Sequence, residues 1–402
     1  MLNVITVSDA VKLIKENFSP LEEYETVTLD KALGRTVSED IKSTEDVPCF
    51  DRSTMDGYAV FAADTYGAGE SIPAFLLITG EVLMGENADF ELKRGCCVKI
   101  STGGMLPRNA DAVVPVENTE EDIDTCLCFK TVSPFENVTR RGDDIKENEI
   151  IIKRNTRLNA AHIGLLASCG TSEIRVSKRA RVGIISTGNE ITALGEAPEP
   201  GKIREVNSHT LDALCNLYGC ETKVYGTVRD EYSEILAAVK KSAAECDCVL
   251  ISGGSSAGTK DMTVKVIDEL GTVYAHGIAM KPGKPTIIGK IGNKAVFGLP
   301  GHPAACFFVT EVIVKELLNI LNRKSETAVL KSCVLCENIS SNHGREDYVC
   351  VKINGEEALP VYGKSGILST LCEADGYIVI ERNREGLVPG DCVEVHPFGG
   401  KL

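Results

Sequence analysis

The chain has 402 residues, of which 25% are charged, and this length predicts roughly two to four domains of about 100–200 residues each. The formal net charge of −15 argues against a general nucleic-acid binder, so local cations or backbone N–H groups have to hold any anionic substrate. The sequence contains no apolar run of the roughly 18 residues that a membrane span needs. Its 16 scattered cysteines fit buried thiols in a reducing compartment, so we expect a cytoplasmic protein.

The first 176 residues predict one domain inserted into another. Residues 8–18 have the apolar spacing of a helix, with Ser8 as its expected cap, and 24–33 predict a strand followed by a second helical piece. Over 44–143, short apolar runs alternate with turn residues, which indicates a separate all-β domain. Helix and strand patterns resume over 144–176. We therefore expect 1–43 and 144–176 to form one split α/β linker domain.

Strand and helix patterns alternate over 177–324. Strands are predicted at 182–185, 222–228, 248–251, 272–276, 286–288 and 294–297, and helices at 208–218, 232–245 and 303–321. This alternation predicts a mostly parallel sheet that binds ligands at the carboxyl ends of its strands. After residue 324 the helical patterns stop, and 325–402 predict a small β-barrel or β-sheet domain. A lone CxxC at Cys333 and Cys336 indicates strand residues rather than zinc ligands.

A glycine-rich loop follows the strand pattern at 248–251 and precedes an apolar helical pattern. Small residues let backbone N–H groups approach an anion, and the start of a helix adds its positive end. An ordinary strand-to-helix turn remains the alternative, because such loops alone are weak evidence. The loop residues expected to contact a ligand are Ser252, Gly253, Gly254, Ser255 and Gly258.

Three more loops of small residues lie beside strands of the same domain. The loop over 280–285 precedes its strand, so it reaches the common edge only if that strand is antiparallel or the loop is long. Each loop alone could be a plain turn, but several loops that converge on one sheet edge favour a binding site. The candidate ligand-binding residues in them are Ser186, Thr187, Gly188, Pro282, Gly283, Pro300, Gly301, His302 and Pro303.

The charged residues of these loops indicate phosphate chemistry. Glu190 and Asp261 are hard oxygen ligands suited to Mg²⁺, and Asp230 could join them or simply cap the next helix. Lys281 and Lys284 suit a phosphate or another oxyanion, on a loop that two prolines stiffen. The combination predicts Mg²⁺-assisted cleavage of a phosphoanhydride, in which the metal and the lysines stabilise the departing phosphate.

A second polar constellation lies in the predicted β domain. The segment PCFDRSTMDGYAV packs two aspartates, an arginine and two hydroxyls into a loop before an apolar strand, which is unusual for a linker. ISTGG, with Thr102, and PRNADAVV follow in the same domain. Loop polarity of this kind indicates a functional role for Asp56 and its neighbours.

Together with the loops above, these motifs resemble one family. PCFDRSTMDGYAV, ISTGGMLPRNADAVVPVE, GDDI, ISTGNEI, SGG with GTKD, MKPGKP and GLPGHP occur in the order found in the molybdopterin molybdenumtransferases, which include MoeA-type proteins and the E domain of gephyrin and its plant counterpart. The resemblance runs from about residue 5 to the carboxyl terminus. GRE at 344–346 and GKSG at 363–366 also look like the carboxyl-terminal domain of that family.

The resemblance implies a multi-domain α/β plus β fold: a three-layer αβα molybdopterin-binding-type domain, the inserted all-β domain, the α/β linker and a carboxyl-terminal β-barrel-like domain. It implies an elongated, L-shaped homodimer whose active site lies between the βαβ domain of one subunit and the β domain of the other. The implied reaction is Mg²⁺-dependent insertion of molybdate into adenylylated molybdopterin, with release of AMP, in molybdenum cofactor biosynthesis. A transient contact with the molybdopterin adenylyltransferase is expected as well.

Residues with implied roles are carried over by motif. Asp144 rather than Asp143 follows from the alignment of GDDI. Glu190, Asp230 and Asp261 are the implied metal ligands. The catalytic positions implied by the resemblance are Asp56, Thr102, Asp144, Glu190, Asp230, Asp261, Lys281 and Lys284, with Pro300 and Pro303 beside them.

The chain departs from the family pattern at Asn189, Ser255, Ala257 and His302, where the family usually has Asp, Val, Val and Asn. We expect altered ligand contacts and not loss of the site. The high cysteine content hints at an anaerobic source, in which a paralogue of this type would insert tungstate. A non-catalytic scaffold like gephyrin, or a nucleotidyltransferase that adenylylates molybdopterin, would also fit part of the pattern. The retained carboxylates and lysines favour the enzyme over the scaffold, and the flanking β domains argue against the nucleotidyltransferase.

Overall fold

The computed structural model describes residues 4–253, 257–324, 329–363 and 368–398, without the side chains of 257–261. The chain divides into two compact units, one of Met1–Glu25 with Ser177–Leu402 and one of Thr26–Val176. Within the described ranges, no helix is both long enough and apolar enough to cross a membrane. The bounds of the four predicted domains stay a prediction.

A six-stranded sheet forms the centre of the unit that contains Ser177–Leu402. Its strands, in spatial order, are Glu221–Val228, Arg181–Thr187, Cys248–Gly253, Lys294–Leu299, Ile287–Ile291 and Thr272–His276. The first four are parallel, whereas Ile287–Ile291 is antiparallel to both of its neighbours. This antiparallel strand satisfies the condition under which the 280–285 loop reaches the ligand-binding edge.

Helices cover both faces of this sheet because successive strand residues point to opposite sides. Ile184, Leu250 and Phe297 face one helical layer, and Ile185, Val249 and Val296 face the other. The first layer contains the helices Val7–Asn17, Asn207–Leu217 and Pro303–Val309. The last of these continues through a π-helical Thr310–Val314 into Lys315–Leu321. The second layer contains Tyr232–Glu245 and Ala257–Leu270. The predicted three-layer αβα arrangement is confirmed.

The carboxyl-terminal barrel is closed by five strands. In order around the barrel they are Glu346–Asn354, Glu357–Pro360, Lys331–Leu335, Cys392–Pro397 and Gly376–Ile380, which returns to the first. Two-residue strands Ile339–Ser340 and Gly386–Leu387 pair beside it. The expectation that helices stop after residue 324 is wrong, because Ser369–Glu373 is helical. Its single short turn is too brief to give an apolar period.

The unit Thr26–Val176 contains a second six-stranded sheet. Its strand order is Ala112–Pro115, Gly57–Val60, Cys96–Ile100, Ala74–Val82, Thr125–Cys128 and Thr119–Asp122. Apart from this sheet, Ala32, Val37, Ile152, Leu166 and Val176 share one apolar cluster. The elements around that cluster are the strands Tyr24–Thr28, Ile41–Lys42, Ile150–Ile152 and Glu173–Ser177 and the helix Ala160–Ser168.

Two expectations for the amino-terminal segment are corrected. The first helix is Val7–Asn17, and its cap is Thr6 and not Ser8. Thr6 is favoured because Asp9 then lies three residues later: the Thr6 hydroxyl accepts from the Asp9 backbone N–H at 3.0 Å, and Asp9 accepts from the Thr6 backbone N–H. The second helical piece is only a three-residue 3₁₀ turn, Leu29–Lys31.

Candidate functional site

Three predicted loops meet at the carboxyl edge of the central sheet. Parallel pairing aligns Thr187 with Gly253 and Ser252 with Leu299, so the strands end side by side. A cavity of about 440 Å³ opens there, which we call the sheet-edge cleft. Of the residues predicted from sequence, it is lined by Ser186, Thr187, Glu190, Ser252, Gly253, Gly301, His302 and Pro303.

Glycine is required at position 253 of this cleft. Its φ of +140° lies in a region that L-residues rarely adopt. A Cβ there would lie 2.0 Å from the carbonyl oxygen of Thr187 and 2.4 Å from its hydroxyl. The close approach of two strand ends therefore depends on the absence of a side chain.

Glu205 is a buried carboxylate of the sheet-edge cleft that the sequence motifs do not reveal. Ser186 Oγ donates to Glu205 Oε1 at 2.9 Å, and the backbone N–H of Ser208 donates to the same oxygen at 2.8 Å. The Ser208 hydroxyl donates to Oε2. Glu205 thus joins the end of one strand to the start of helix Asn207–Leu217. An acidic residue just before a helical Asn-Ser pair was the available signal.

Asn207 makes the corresponding connection to the other two loops. Its Nδ2 donates to Ser252 Oγ at 2.7 Å and to the carbonyl oxygen of Gly301 at 2.9 Å. Arg204, also in the cleft lining, is exposed and has no ion pair with any residue that the structure describes. Sequence motifs indicate neither residue, since the contacts of the cleft lie far away along the chain.

A second and larger cavity, about 890 Å³, lies beside the loop Met280–Pro285, and we call it the lysine cleft. Barrel residues form its other wall. His302 lines both clefts, so the two cavities are neighbours. The charged residues and loop residues that line the lysine cleft include Lys281, Pro282, Gly283, Lys284, Pro300, Arg345 and Asp347.

The charges of the lysine cleft are organised around Asp347, whose side chain is only 3% exposed. Lys281 Nζ lies 2.9 Å from Asp347 Oδ2, and Arg345 Nε lies 3.4 Å from Oδ1. Lys284 is exposed and makes no ion pair with a described residue. Three cations against one carboxylate leave the cleft with a local positive charge, which attracts an anion despite the net charge of the chain.

The backbone of the lysine loop is held in place at Gly283. The Thr286 hydroxyl donates to the Gly283 carbonyl oxygen at 2.7 Å. Gly283 has a φ of +128°, and a Cβ there would lie 2.6 Å from the Val309 side chain and 3.1 Å from that of Met280. This close packing fixes the backbone from which Lys281 and Lys284 extend.

Asp56 and Thr102 come together in the unit Thr26–Val176. Asp56 Oδ1 accepts from the backbone N–H of Thr102 at 2.6 Å and from the Thr102 hydroxyl at 2.9 Å. These hydrogen bonds hold the pKa of the Asp56 carboxyl below its ordinary value. The two residues belong to separate sequence motifs, 46 residues apart.

The structure distinguishes the two neighbouring aspartates of GDDI. Asp143 accepts from the backbone N–H of Arg140 at 2.8 Å and pairs with its guanidinium at 3.5 Å. Asp144 is exposed and makes no side-chain contact of this kind with a described residue. Asp144 therefore has the carboxylate that remains accessible to a ligand, although its role stays a prediction.

The predicted metal ligands are only partly described. Glu190 is half-buried and borders the sheet-edge cleft, where its oxygens suit a hard cation beside a phosphate. The backbone N–H of Asp230 donates to Asn189 Oδ1 at 3.3 Å, so that loop adjoins the same strand end. Asp261 and Gly258 belong to helix Ala257–Leu270, but the Asp261 side chain, Gly254 and Ser255 lie outside the description. No cluster of three metal-binding side chains occurs among the described residues.

Comparisons with known proteins agree with this architecture. The MoeA N-terminal region (domain I and II) matches residues 5–170, a molybdopterin binding domain matches 183–319, and the MoeA C-terminal region (domain IV) matches 333–398. Two solved MoeA structures from Pyrococcus horikoshii superpose with TM-scores of 0.87 and 0.85 at 38% and 30% identity, over 98% of this chain and 99% and 100% of theirs.

Sequence relatives agree over the full length. A molybdopterin biosynthesis protein of Methanocaldococcus jannaschii is 37% identical over 98% of both chains. The molybdopterin molybdenumtransferase of Bacillus subtilis is 30% identical over 97% of this chain and 93% of its own.

An αβα domain with a glycine-lined sheet edge, a neighbouring cationic cleft and a carboxyl-terminal barrel defines a molybdopterin-binding enzyme of the transferase class. The chain belongs to the MoeA family of molybdopterin molybdenumtransferases, which act in molybdenum cofactor biosynthesis. The family and the enzyme class predicted from the sequence are both confirmed.

Proposed function

We propose that the protein inserts molybdate into adenylylated molybdopterin in a Mg²⁺-dependent reaction that releases AMP. The observation that carries this proposal is the pair of neighbouring clefts, which share His302 and differ in charge. The sheet-edge cleft offers glycine backbone and hydroxyl groups, as a phosphate-bearing nucleotide requires. The lysine cleft offers three cations, as a small tetrahedral oxyanion requires.

In the lysine cleft, Lys281, Lys284 and Arg345 bind the molybdate dianion. Asp347 holds Lys281 in place through a charge-assisted hydrogen bond at 2.9 Å and lies within ion-pair distance of Arg345, at 3.4 Å. Lys284 has no such partner among the described side chains, so its charge is directed to the substrate. His302, which lines both clefts, would lie where the oxyanion meets the dithiolene, and Pro300 lines the lysine cleft beside it.

In the sheet-edge cleft, the diphosphate of the pterin nucleotide is held by backbone N–H groups of the glycine loops and by the segments around Ser186 and Ser252. Glu190, with Asp230 and Asp261, would hold Mg²⁺, which neutralises charge on the phosphate that leaves as AMP. Glu190 borders the cleft at the carboxyl edge of the sheet, and this position supports its assignment as a metal ligand.

The remaining catalytic positions, Asp56, Thr102 and Asp144, act from the second subunit of a homodimer. Support comes from the resemblance and from the hydrogen bonds that keep Asp56 ionised. An ionised carboxylate held by two donors is suited to orient a water at the scissile phosphate. Contact with the adenylyltransferase that supplies the nucleotide is part of the same proposal.

The test is reconstitution of the purified dimer with adenylylated molybdopterin, molybdate and Mg²⁺, with AMP release and cofactor formation measured separately. Lys284→Met should raise the KM for molybdate by roughly tenfold and leave AMP-moiety binding intact, since one unpaired charge contributes on the order of 1–2 kcal/mol to a divalent anion. Lys265→Met, on the exposed side of helix Ala257–Leu270, is the matched control.

A wild-type dimer that neither releases AMP nor forms cofactor would contradict the proposal and favour the scaffold. A parallel assay with tungstate shows which of the two oxyanions is the substrate. If cofactor forms with tungstate and not with molybdate, tungstate replaces molybdate in the proposal.

A further inference from the structure

Asn207 is buried at the first turn of helix Asn207–Leu217, with 8% of the residue exposed. Its amide nitrogen lies 2.9 Å from the carbonyl oxygen of Gly301. Because a carbonyl oxygen only accepts hydrogen bonds, the amide has to present Nδ2 and not Oδ1 to it. The orientation of the whole side chain follows from this one contact.

This orientation determines what Ser252 does. Nδ2 also lies 2.7 Å from Ser252 Oγ, so the serine oxygen accepts a hydrogen bond from Asn207. Cys306 Sγ, 4.0 Å away, also donates to Ser252 Oγ, so the serine hydroxyl hydrogen is directed toward the cleft. Asn207 therefore makes Ser252 a hydrogen-bond donor at the point where its strand runs into the glycine loop.

Asn207 also joins two loops that are distant in sequence. Ser252 is 45 residues and Gly301 is 94 residues from it along the chain, and both line the sheet-edge cleft. One amide group thus sets the spacing between the end of strand Cys248–Gly253 and the loop after strand Lys294–Leu299. Both segments line the sheet-edge cleft, so their spacing affects how a ligand fits there.

The other end of the same amide indicates a role beyond stability. Asn207 Oδ1 is buried and has no hydrogen-bond partner among the described residues. A buried acceptor without a partner costs on the order of 1–3 kcal/mol. The hydrogen bonds that Asn207 makes with its side chain are the two that Nδ2 donates to Ser252 and Gly301, so these contacts have to offset that cost.

We propose that Asn207 is a positioning residue for the pterin nucleotide: its amide holds Ser252 as a donor and the Gly301 peptide at a fixed spacing across the sheet-edge cleft. This inference rests on the proposed function, because it adds a residue to the same site. Asn207 acts through Ser252 and Gly301 and does not itself touch the reacting atoms.

The first experiment compares Asn207→Ala with Asn216→Ala in the reconstituted dimer. Asn216 lies on the same helix, is exposed, and donates only to Asp212 and Thr222, so it is a matched control. For Asn207→Ala we expect the KM for the pterin nucleotide to rise roughly tenfold and the KM for molybdate to change less than about twofold. Equal KM values for the pterin nucleotide in Asn207→Ala and the control would overturn the inference.

The second experiment uses Asn207→Asp, which keeps the shape of the side chain and serves if the alanine variant folds poorly. An ionised carboxylate repels the Gly301 carbonyl, whereas a protonated carboxyl donates one hydrogen bond to it. Burial at this position raises the pKa of the introduced carboxyl above its ordinary value, so a fall in pH protonates it. The ratio of variant to wild-type kcat/KM should therefore increase at least several-fold from about pH 8.5 to about pH 6. The charged or titratable groups around position 207, all present in both proteins, are Glu190, Arg204, Glu205, His209, His302 and Cys306.

The two failures are distinguishable. A wild-type protein without cofactor formation would contradict the proposed function itself. An active wild type together with a pH-independent Asn207→Asp ratio would contradict only the positioning role.

Discussion

Replacement of Asp347 by asparagine tests how the lysine cleft is held together. The substitution keeps the shape of the side chain but removes the charge that pairs with Lys281 at 2.9 Å and Arg345 at 3.4 Å. A hydrogen bond to a charged group contributes about 1.5–3 kcal/mol, and the Lys281 side chain is 50% exposed, which places the value at the lower end. Asparagine retains a weaker acceptor. We therefore expect the free energy of unfolding to fall by about 1–2 kcal/mol.

The anion affinity should change in the opposite direction. Without the carboxylate, Lys281 and Arg345 attract a dianion unopposed, so tungstate or molybdate should bind roughly threefold more tightly to the variant. Calorimetric titration measures this affinity. Loss of the carboxylate also loosens Lys281, so a variant that binds the anion more weakly would show that placement of the cations outweighs the charge removed, and the expected gain in affinity would be refuted.

Stability is measured by urea unfolding followed by far-UV circular dichroism, because the chain has no tryptophan to report fluorescence. The control is Glu221→Gln, which removes an exposed pair with Arg181 in the same unit, at 3.5 Å and with side chains 49% and 48% exposed. That pair should contribute less than about 0.5 kcal/mol. A loss for Asp347→Asn no larger than the control would refute the expected stabilisation.

Two further predictions concern the other sites. The lowered pKa of Asp56 means that its carboxylate stays ionised, and keeps its hydrogen bonds to Thr102, until the pH falls below the ordinary range near about 4. Thr102→Val should raise that pKa, which a carboxyl-carbon NMR titration measures. An unchanged midpoint would contradict the role given to the Thr102 hydroxyl. Gly253→Ala should destabilise the protein by about 3 kcal/mol or more, because the new Cβ meets Thr187. Gly292→Ala is the control, because its Cβ meets open space, and it should cost about 1 kcal/mol. Thermal unfolding measures both, and equal falls in Tm would contradict the expected difference.

The layered fold was predictable because local and long-range signals agree. Strand 272–276 and helix 232–245 were predicted with the observed ends, and the glycine loops follow strands whose residues alternate between two helical layers. The helical period in the sequence passes unbroken through the π-helical Thr310–Val314, which lacks a turn residue to mark it. A helical period of apolar residues does not distinguish the i→i+5 hydrogen bonds of a π-helix from those of an α-helix.

The clefts were only half predictable. Glycines and lysines could be found because loops at strand ends share one sheet edge whatever the side chains do. Glu205 and Asn207 could not, because their function depends on hydrogen bonds across 19 to 94 residues that no spacing reveals. Asp347 was missed for the same reason: its contact with Lys281 spans 66 residues and depends on how the barrel pairs with the loop.

That pairing has a mechanical consequence. The two-residue strand Met280–Lys281 is hydrogen-bonded in parallel to the start of barrel strand Glu346–Asn354, with Lys281 opposite Asp347. The same loop packs through Gly283 against Val309 of the helix that follows His302. Lys281 is therefore fixed from two sides, by the barrel and by the αβα layers, and the two walls of the lysine cleft cannot separate without breaking either the strand pairing or that packing.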